Sequence, residues 1–175
     1  EGYSLMIGGD DEAVDRLNPI WEALAPGKTE GWGHVGPSGA GHFVKMVHNG
    51  IEYGLMQAFA EGFSILKAKT PLNLDLTQIA HIWQKGSVVR SWLLDLTAGA
   101  LDKNPTLEGL EAWVPDSGEG RWTVTEAIDL NISAPVITES LIRRLRSREE
   151  NNFTDRMISI MRGAGGGHDV KKLDN

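Results

Sequence analysis

The feature that most constrains this sequence is a proline-free stretch over residues 41–69. Apolar side chains recur along it every three or four residues, at Phe43, Val44, Val47, Ile51, Leu55, Phe59, Phe63 and Leu66. This spacing predicts one long α-helix, about 40 Å from end to end at roughly 1.5 Å per residue. Because the apolar positions do not keep strict heptads, we expect the central helix of an α-helical domain rather than a coiled coil.

Shorter periodic segments follow the long helix and predict a mainly α-helical fold. We expect these helices over residues 76–84, 89–101, 124–130, 135–148 and 154–162. Glycine clusters separate some of them. Residues 118–120 are expected to form a loop, and residues 163–167 a flexible tail that precedes His168.

The segment before the long helix has a mixed pattern. Residues 3–7 form an apolar run closed by two glycines, which predicts a short buried strand, and residues 31–35 predict a second. Between them, acidic residues 10–12 begin a helix with apolar side chains at Val14, Leu17, Trp21 and Leu24. Ser38 is a candidate N-cap for the long helix. Since an isolated strand is not stable, we expect further strands of its sheet to lie outside this sequence.

Composition excludes several classes of function. The 175 residues carry a formal net charge of -7, which argues against nucleic-acid binding through bulk electrostatics. Cysteine is absent, which excludes disulfides and cysteine nucleophiles and suits a reducing, cytoplasmic compartment. No segment approaches the roughly 18–20 consecutive apolar residues that span a bilayer. The sequence opens with Glu1 and Gly2, without an initiator methionine or a signal peptide, so we expect the interior of a longer protein.

Four polar residues share one face of the predicted long helix, namely Lys45, His48, Asn49 and Glu52. Their spacing of i, i+3, i+4 and i+7 stacks them over about two turns. The set offers a base, an acid and hydrogen-bonding groups for a hydroxylated anionic substrate. The alternative is an ordinary solvated helix face, which polar stripes at this spacing usually are. A histidine and a glutamate four residues apart are a weak metal signal, and we expect no metal site.

A second candidate set is basic and lies further along the chain. Its members are Arg121, Thr123, Arg144, Arg162 and His168. Guanidinium groups bind phosphate through paired hydrogen bonds, and a threonine hydroxyl can add another. Taken singly, each of these residues is more often a surface charge or a salt-bridge partner. The sequence alone does not show that they converge.

Residues 39–54, Gly-Ala-Gly-His-Phe-Val-Lys-Met-Val-His-Asn-Gly-Ile-Glu-Tyr-Gly, closely resemble the signature of the 6-phosphogluconate dehydrogenases. Other segments support the resemblance in the same order along the chain. Residues 4–9 resemble the last strand of the family's coenzyme domain, and residues 120–123 resemble its substrate loop. Arg144 matches the arginine-bearing helix, and residues 162–168 resemble the C-terminal tail motif. The short spacing between Arg144 and that tail resembles the bacterial short form.

Two positions depart from the family pattern. Arg121 stands where much of the family has lysine, which keeps the charge but changes the geometry of a phosphate contact. Leu55 stands where an acidic residue is usual. The nucleotide fingerprint and the serine-glycine-glycine substrate segment of the family are not found in this sequence.

The resemblance implies how the chain is organised. Residues 1–37 would be the last strand and helix of a Rossmann-type coenzyme domain, and residues 38–175 the all-helical substrate and dimerisation domain. NAD or NADP would be held mainly by a coenzyme domain outside this sequence, with a weak preference for NAD, and the chain alone would be inactive. The protein would be a homodimer or higher homo-oligomer whose tail reaches the partner's site, with no nucleic-acid or membrane partner and no metal.

The resemblance also implies a reaction, the oxidative decarboxylation of 6-phosphogluconate to ribulose 5-phosphate and CO2. Lys45 would take the proton from the C3 hydroxyl, and Glu52 would protonate the enediol at C1. His48 and Asn49 would orient the hydroxyls and the carboxylate of the substrate. The phosphate would be held by Tyr53, Arg121, Thr123 and Arg144, together with Arg162 from a second subunit, with His168 nearby.

Two other functions stay open. The related 3-hydroxyacid dehydrogenases, such as those for 3-hydroxyisobutyrate, share a helix lysine and an asparagine four residues later. They act on small substrates without phosphate, so the basic set of Arg121, Arg144 and Arg162 argues against them. The other possibility is a non-catalytic helical dimerisation module.

Overall fold

The computed structural model describes residues 2–150, 152–166 and 169–171. These residues form eight α-helices, two short β-strands and one 3₁₀ turn, which confirms the mainly α-helical prediction. The elements in chain order are β1 (Leu5–Gly8), α1 (Asp11–Arg16), α2 (Asn18–Leu24), β2 (Trp32–Gly36), α3 (Ala40–Ala68), the 3₁₀ turn (Thr70–Leu72), α4 (Leu76–Trp83), α5 (Trp92–Lys103), α6 (Glu119–Asp129), α7 (Pro135–Arg146) and α8 (Phe153–Gly166).

β1 and β2 pair in parallel, and α1 and α2 connect them. Met6 lies opposite Gly33, and both predicted strands are present with slightly shifted bounds. The single helix predicted between the strands is instead two helices that meet at Leu17. The reason is Pro19 in the first turn of α2, because proline lacks the N–H that would continue the hydrogen bonding of α1.

The long helix α3 starts in direct contact with the sheet. The prediction of Ser38 as its N-cap is wrong, because Gly39 caps the helix at φ 94°, a left-handed conformation that glycine tolerates. A Cβ atom at Gly41 would lie 2.3 Å from the carbonyl oxygen of Met6. The absence of a side chain at this position therefore lets the first turn of α3 approach the backbone of β1.

The second half of α3 packs with α4 and α5 around an apolar core. The buried members of this core are Ala80, Leu94, Ala98 and Leu101, and Phe59 and Phe63 of α3 pack against them. Outside the core, His81 of α4 contacts Asp102 of α5 at 2.9 Å. The hydrogen bond to Asp102 is the main reason why the pKa of His81 is raised.

The first half of α3 packs with α6 and α7 at glycine positions. A Cβ atom at Gly50 would lie 2.7 Å from Cγ2 of Thr123 on α6. A Cβ atom at Gly120 would lie 2.6 Å from the ring of Tyr53 on α3. Glycine at these two positions therefore lets α6 lie against the half of α3 that carries the predicted polar face.

The start of α6 differs from the prediction. The helix begins at Glu119, so the loop predicted over residues 118–120 is wrong. Glycines indicate a break when only the sequence is considered. In the structure Gly118 is instead the N-cap of the helix, at φ 106°, and Gly120 lies inside its first turn.

The last described helix, α8, also runs further than predicted. It spans Phe153–Gly166, so the flexible glycine tail predicted from residue 163 is wrong as far as Gly166. Glycine in a helix interior costs about 1 kcal/mol relative to alanine, and this helix continues in spite of that cost. His168 lies outside the described residues.

The predicted domain boundary at residue 37 falls in the turn between β2 and α3. It stays a prediction, and α3 packs against both strands as well as against the helices that follow. Among the described residues, no helix is both long enough and apolar enough to cross a membrane.

Candidate active site

All four residues of the predicted polar face come together on the first half of α3. Nδ1 of His48 lies 3.2 Å from Nζ of Lys45 and 3.1 Å from Oδ1 of Asn49. The same nitrogen lies 3.9 Å from Oε2 of Glu52. His48 is therefore the centre of the cluster, because each of the other three side chains approaches the same ring nitrogen.

The contacts of His48 depend on where its proton lies. Nδ1 accepts a hydrogen bond from Lys45 when it carries no proton, and donates to Asn49 when it carries one. The side chains of His48 and Glu52 are 53% and 36% exposed. A substrate can therefore reach an amine, an imidazole, an amide and a carboxylate on one open surface.

Tyr53 and Arg144 lie next to this face. Tyr53 is buried, and the guanidinium carbon of Arg144 on α7 lies 3.5 Å from the centroid of its ring, a cation–π contact. The hydroxyl of Tyr53 accepts a hydrogen bond of 3.4 Å from the backbone N–H of Ser117. The structure thus places Arg144 against Tyr53, which directly follows Glu52 in the chain.

Thr123 lies in the packing between α6 and α3. It is 5% exposed, and its hydroxyl lies 2.9 Å from the carbonyl oxygen of Met46 and 2.8 Å from that of Glu119. A hydroxyl has one hydrogen to donate, and these carbonyl oxygens take it. In this arrangement Thr123 joins α6 to α3, and its role in phosphate binding stays a prediction.

Arg121 is held by an aspartate that sequence reasoning missed. Nε and Nη2 of Arg121 donate to the two carboxylate oxygens of Asp116 at 3.0 and 3.2 Å. Nη2 of Arg148 donates to the same carboxylate at 2.7 Å. The hydrogen bond from Arg121, and after it that from Arg148, lowers the pKa of Asp116, and the same carboxylate raises the pKa of Arg121.

Arg144 and Arg148 also bind the backbone of the two residues before Asp116. Nη1 of Arg144 donates to the carbonyl oxygen of Pro115 at 2.8 Å. Nε of Arg148 donates to the carbonyl oxygen of Val114 at 2.8 Å. Two residues of the predicted basic set, Arg121 and Arg144, therefore converge on one short segment.

Glu119 is a further acidic residue near the polar face. Its carboxylate accepts a hydrogen bond from the hydroxyl of Ser117. This bond lowers the pKa of Glu119, with a smaller contribution from the positive charge of Lys45, which is close enough to act on it. The sequence offers only a weak signal for this residue, an acid between two glycines just before Arg121.

Two predicted residues are not brought into this arrangement. Arg162 is exposed on α8, and among the described residues no hydrogen bond or ion pair joins it to the rest of the set. α8 is linked to α7 by an ion pair between Asp155 and Arg146. His168, as stated above, lies outside the part of the chain that the structure describes.

Neither a metal-binding cluster nor a dinucleotide fingerprint is found among the described residues. These residues contain no group of three His, Cys, Asp or Glu side chains placed to hold a metal ion. Gly8 and Gly9, at the end of β1, do not continue into the Gly-x-Gly-x-x-Gly pattern of a dinucleotide site. The helix that follows begins with Asp11 and Glu12, whose charges would repel a pyrophosphate.

Comparison with known proteins identifies a family. A family model described as 6-phosphogluconate dehydrogenase, C-terminal domain, matches residues 41–163. A relative from Haloferax volcanii, named as an NAD(+)-dependent, decarboxylating 6-phosphogluconate dehydrogenase, is 43% identical over 175 residues. That alignment covers 99% of this chain and 58% of the relative, so the chain spans less than two thirds of the relative's length.

Two solved structures share the fold. The 6-phosphogluconate dehydrogenase of Plasmodium falciparum, solved in its apo form, with its cofactor NADP+ and with its substrate 6-phosphogluconate, has a TM-score of 0.74 at 28% identity. The match covers 99% of this chain and 38% of that one. The 3-hydroxyisobutyrate dehydrogenase of Mycobacterium tuberculosis has a TM-score of 0.56 at 19% identity. The match covers 77% of this chain and 46% of that one, and it shows the fold alone. The family model and the Haloferax relative confirm the resemblance seen in the sequence: this chain belongs to the 6-phosphogluconate dehydrogenase family and contains its C-terminal domain.

Proposed function

We propose that this chain supplies the substrate-binding and proton-transfer residues for oxidative decarboxylation of 6-phosphogluconate to ribulose 5-phosphate and CO2. The observation that carries the proposal is the cluster of Lys45, Asn49 and Glu52 around one nitrogen of His48. Beside it, positively charged side chains gather on a chain whose net charge is -7. Acid and base groups next to a cationic surface suit a sugar acid that carries a phosphate.

Lys45 is the base in this proposal. As C3 of the substrate loses its hydrogen as hydride, the Lys45 amine takes the proton of the C3 hydroxyl, and C3 becomes a ketone carbon. The ammonium then donates a hydrogen bond to the ketone oxygen, which accepts the electron pair released when the C1–C2 bond breaks and CO2 leaves. The oxidation requires NAD or NADP as hydride acceptor, and we propose that residues outside the described set hold it.

Glu52 is the acid. As CO2 leaves, the ketone oxygen takes the proton of the Lys45 ammonium, and the resulting enediol needs a proton at the carbon that carried the carboxylate, which is C1 of the product. The hydroxyl proton returns to the Lys45 amine as the ketone re-forms. The half-exposed carboxyl of Glu52 lies on the same face as Lys45, one helical turn beyond His48. His48 and Asn49 present hydrogen-bonding groups between the acid and the base, where they can orient the hydroxyls and the carboxylate of the substrate.

The phosphate is assigned to the arginines. Arg121 and Arg144 lie at the same segment, and Arg144 stacks on Tyr53 beside the polar face. We propose a cytoplasmic homodimer, or a higher homo-oligomer, in which Arg162 and His168 of a second subunit complete the phosphate site. The exposure of Arg162 on α8 is compatible with such a contact.

The proposal is tested by the thermal stability of the chain with excess 6-phosphogluconate, compared with gluconate and 3-hydroxyisobutyrate. A ligand at about 100 times its dissociation constant stabilises the folded state by about 2.7 kcal/mol. We expect an increase in melting temperature with 6-phosphogluconate alone. A shift with 3-hydroxyisobutyrate and none with 6-phosphogluconate would instead assign the chain to the 3-hydroxyacid dehydrogenases.

A further inference from the structure

Asp116 is an enclosed carboxylate in an otherwise exposed segment. Its side chain is 5% exposed, while its neighbours Pro115 and Ser117 are exposed. Burial of a carboxylate costs free energy unless charged or hydrogen-bonding partners offset it. Here the partners are two arginines, Arg121 from α6 and Arg148 from beyond α7, so the charge of Asp116 is fully matched.

The contact with Arg121 uses only one edge of the guanidinium. Nε and Nη2 donate to the two oxygens of Asp116, and among the described residues no hydrogen bond engages Nη1. The side chain of Arg121 is 49% exposed, so a ligand can reach it while Asp116 stays bound. A planar guanidinium with five N–H donors can bind a carboxylate on one edge and a phosphate on the other at the same time, which a lysine ammonium cannot do with the same geometry.

The backbone carbonyls of residues 114 and 115 bind Arg148 a second time and add a third arginine, Arg144. Val114 accepts from Arg148 and Pro115 accepts from Arg144. Two guanidinium groups therefore bind the Asp116 carboxylate and a third, that of Arg144, binds the carbonyl oxygen beside it, so the formal charge of the group is positive. Such a group attracts an anion, and each of its arginines is already restrained before the anion arrives.

We propose that Asp116 is a positioning residue for the phosphate of the substrate, acting through Arg121. Its carboxylate fixes one edge of the Arg121 guanidinium, so that the other edge is presented to the phosphate. Arg148 holds Asp116 in turn, through the second carboxylate oxygen. This inference rests on the proposed function, because it takes the phosphate of 6-phosphogluconate as the anion that Arg121 binds.

The test uses the protein expressed from its complete coding sequence, assayed with 6-phosphogluconate and with NAD and NADP in parallel. Asp116→Asn keeps the size of the side chain but replaces one acceptor oxygen with an NH2 group. A guanidinium offers only donors, so this NH2 group cannot pair with it. We expect KM for 6-phosphogluconate to rise about tenfold with kcat changed by less than about twofold, because contacts to the phosphate bind substrate and transition state alike.

A double-mutant cycle separates positioning from folding. If Asp116 acts through Arg121, then adding Asp116→Asn to Arg121→Ala leaves KM as it is in Arg121→Ala alone. Asp116→Glu keeps the carboxylate and should restore part of the affinity. Asp102→Asn is the matched control, since it removes a carboxylate that pairs with His81 away from the site, and its KM should equal that of the wild type.

Each outcome has a definite meaning. If the wild type is active and Asp116→Asn leaves KM unchanged, the role of Asp116 is overturned. It is also overturned if Asp116→Asn raises KM by the same factor in the Arg121→Ala protein as in the wild type. A wild-type protein that does not turn over 6-phosphogluconate refutes the proposed function, and the role of Asp116 with it.

Discussion

At the scale of single residues, the position of Glu52 relative to His48 has the clearest chemical consequence. Its carboxylate lies 3.9 Å from Nδ1 of His48, and Nζ of Lys45 lies 3.2 Å from the same nitrogen. An acid and a base on one helix face can act on adjacent carbons of one substrate without a conformational change between the steps. We therefore predict that Glu52 acts as a proton donor rather than in binding alone.

Glu52→Gln tests that prediction in the protein expressed from its complete coding sequence. Glutamine keeps the size of the side chain but has no ionisable proton, so we expect kcat to fall by about 100-fold or more, with KM changed little. Steady-state kinetics with 6-phosphogluconate measures both. Glu61→Gln, on the same helix and bonded only to Gln57 among the described residues, is the control that should keep the wild-type kcat. Unchanged turnover in Glu52→Gln would remove Glu52 from the acid role.

At the scale of elements, α3 is the helix that both halves of the domain share. Its first half contacts α6 and α7, and its second half contacts α4 and α5. Glycines on α3 have different surroundings in the two halves. Gly50 is buried against Thr123, while a Cβ atom at Gly62 would meet nothing within 4 Å. The same substitution should therefore have opposite effects at the two positions.

Gly50→Ala should destabilise the fold by about 1–3 kcal/mol, because the new methyl group overlaps Thr123 on α6. Gly62→Ala should stabilise it by about 0.5–1 kcal/mol, because alanine loses less conformational entropy in a helix and has open space here. Denaturant unfolding followed by circular dichroism measures both free energies. A Gly50→Ala protein as stable as Gly62→Ala would show that α6 does not pack on α3 as described.

At the scale of the whole molecule, α8 presents a stripe of exposed apolar side chains. Its members are Phe153, Met157, Ile160 and Met161. Their spacing places them on one face of the helix. A stripe of this kind is typical of an interface, and the proposed second subunit, whose tail completes the phosphate site, would cover it.

We therefore expect sedimentation velocity to give a species of twice the 19.1 kDa chain mass. Ile160→Glu should shift this species towards the monomer, because it places a charge in the stripe that the partner would bury. Ser159→Glu adds the same charge outside the stripe and should leave the dimer intact. A monomeric wild-type chain would count against both the dimer and the shared site.

Much of the fold and the polar face could be predicted from local patterns. The long helix follows from apolar residues at three- and four-residue steps, and the same geometry places Lys45, His48, Asn49 and Glu52 on one face. Glycine was the main source of error. Gly118 and Gly163 indicate breaks by composition, yet Gly118 caps α6 and Gly163 lies inside α8. Whether a glycine ends a helix or permits a close contact depends on what packs against it.

The sequence by itself determined the family, the central helix and the residues that share its polar face, because each of these is encoded within a short stretch of chain. Only the tertiary structure decided which basic residues meet. Arg121, Arg144 and Arg148 converge because α6 and α7 pack on α3 and bring them to residues 114–116, up to 34 residues away along the chain. It also decided that Thr123 is buried in helix packing. Local periodicity specifies which side of a helix a residue occupies, whereas the partner on that side depends on how the helices pack together.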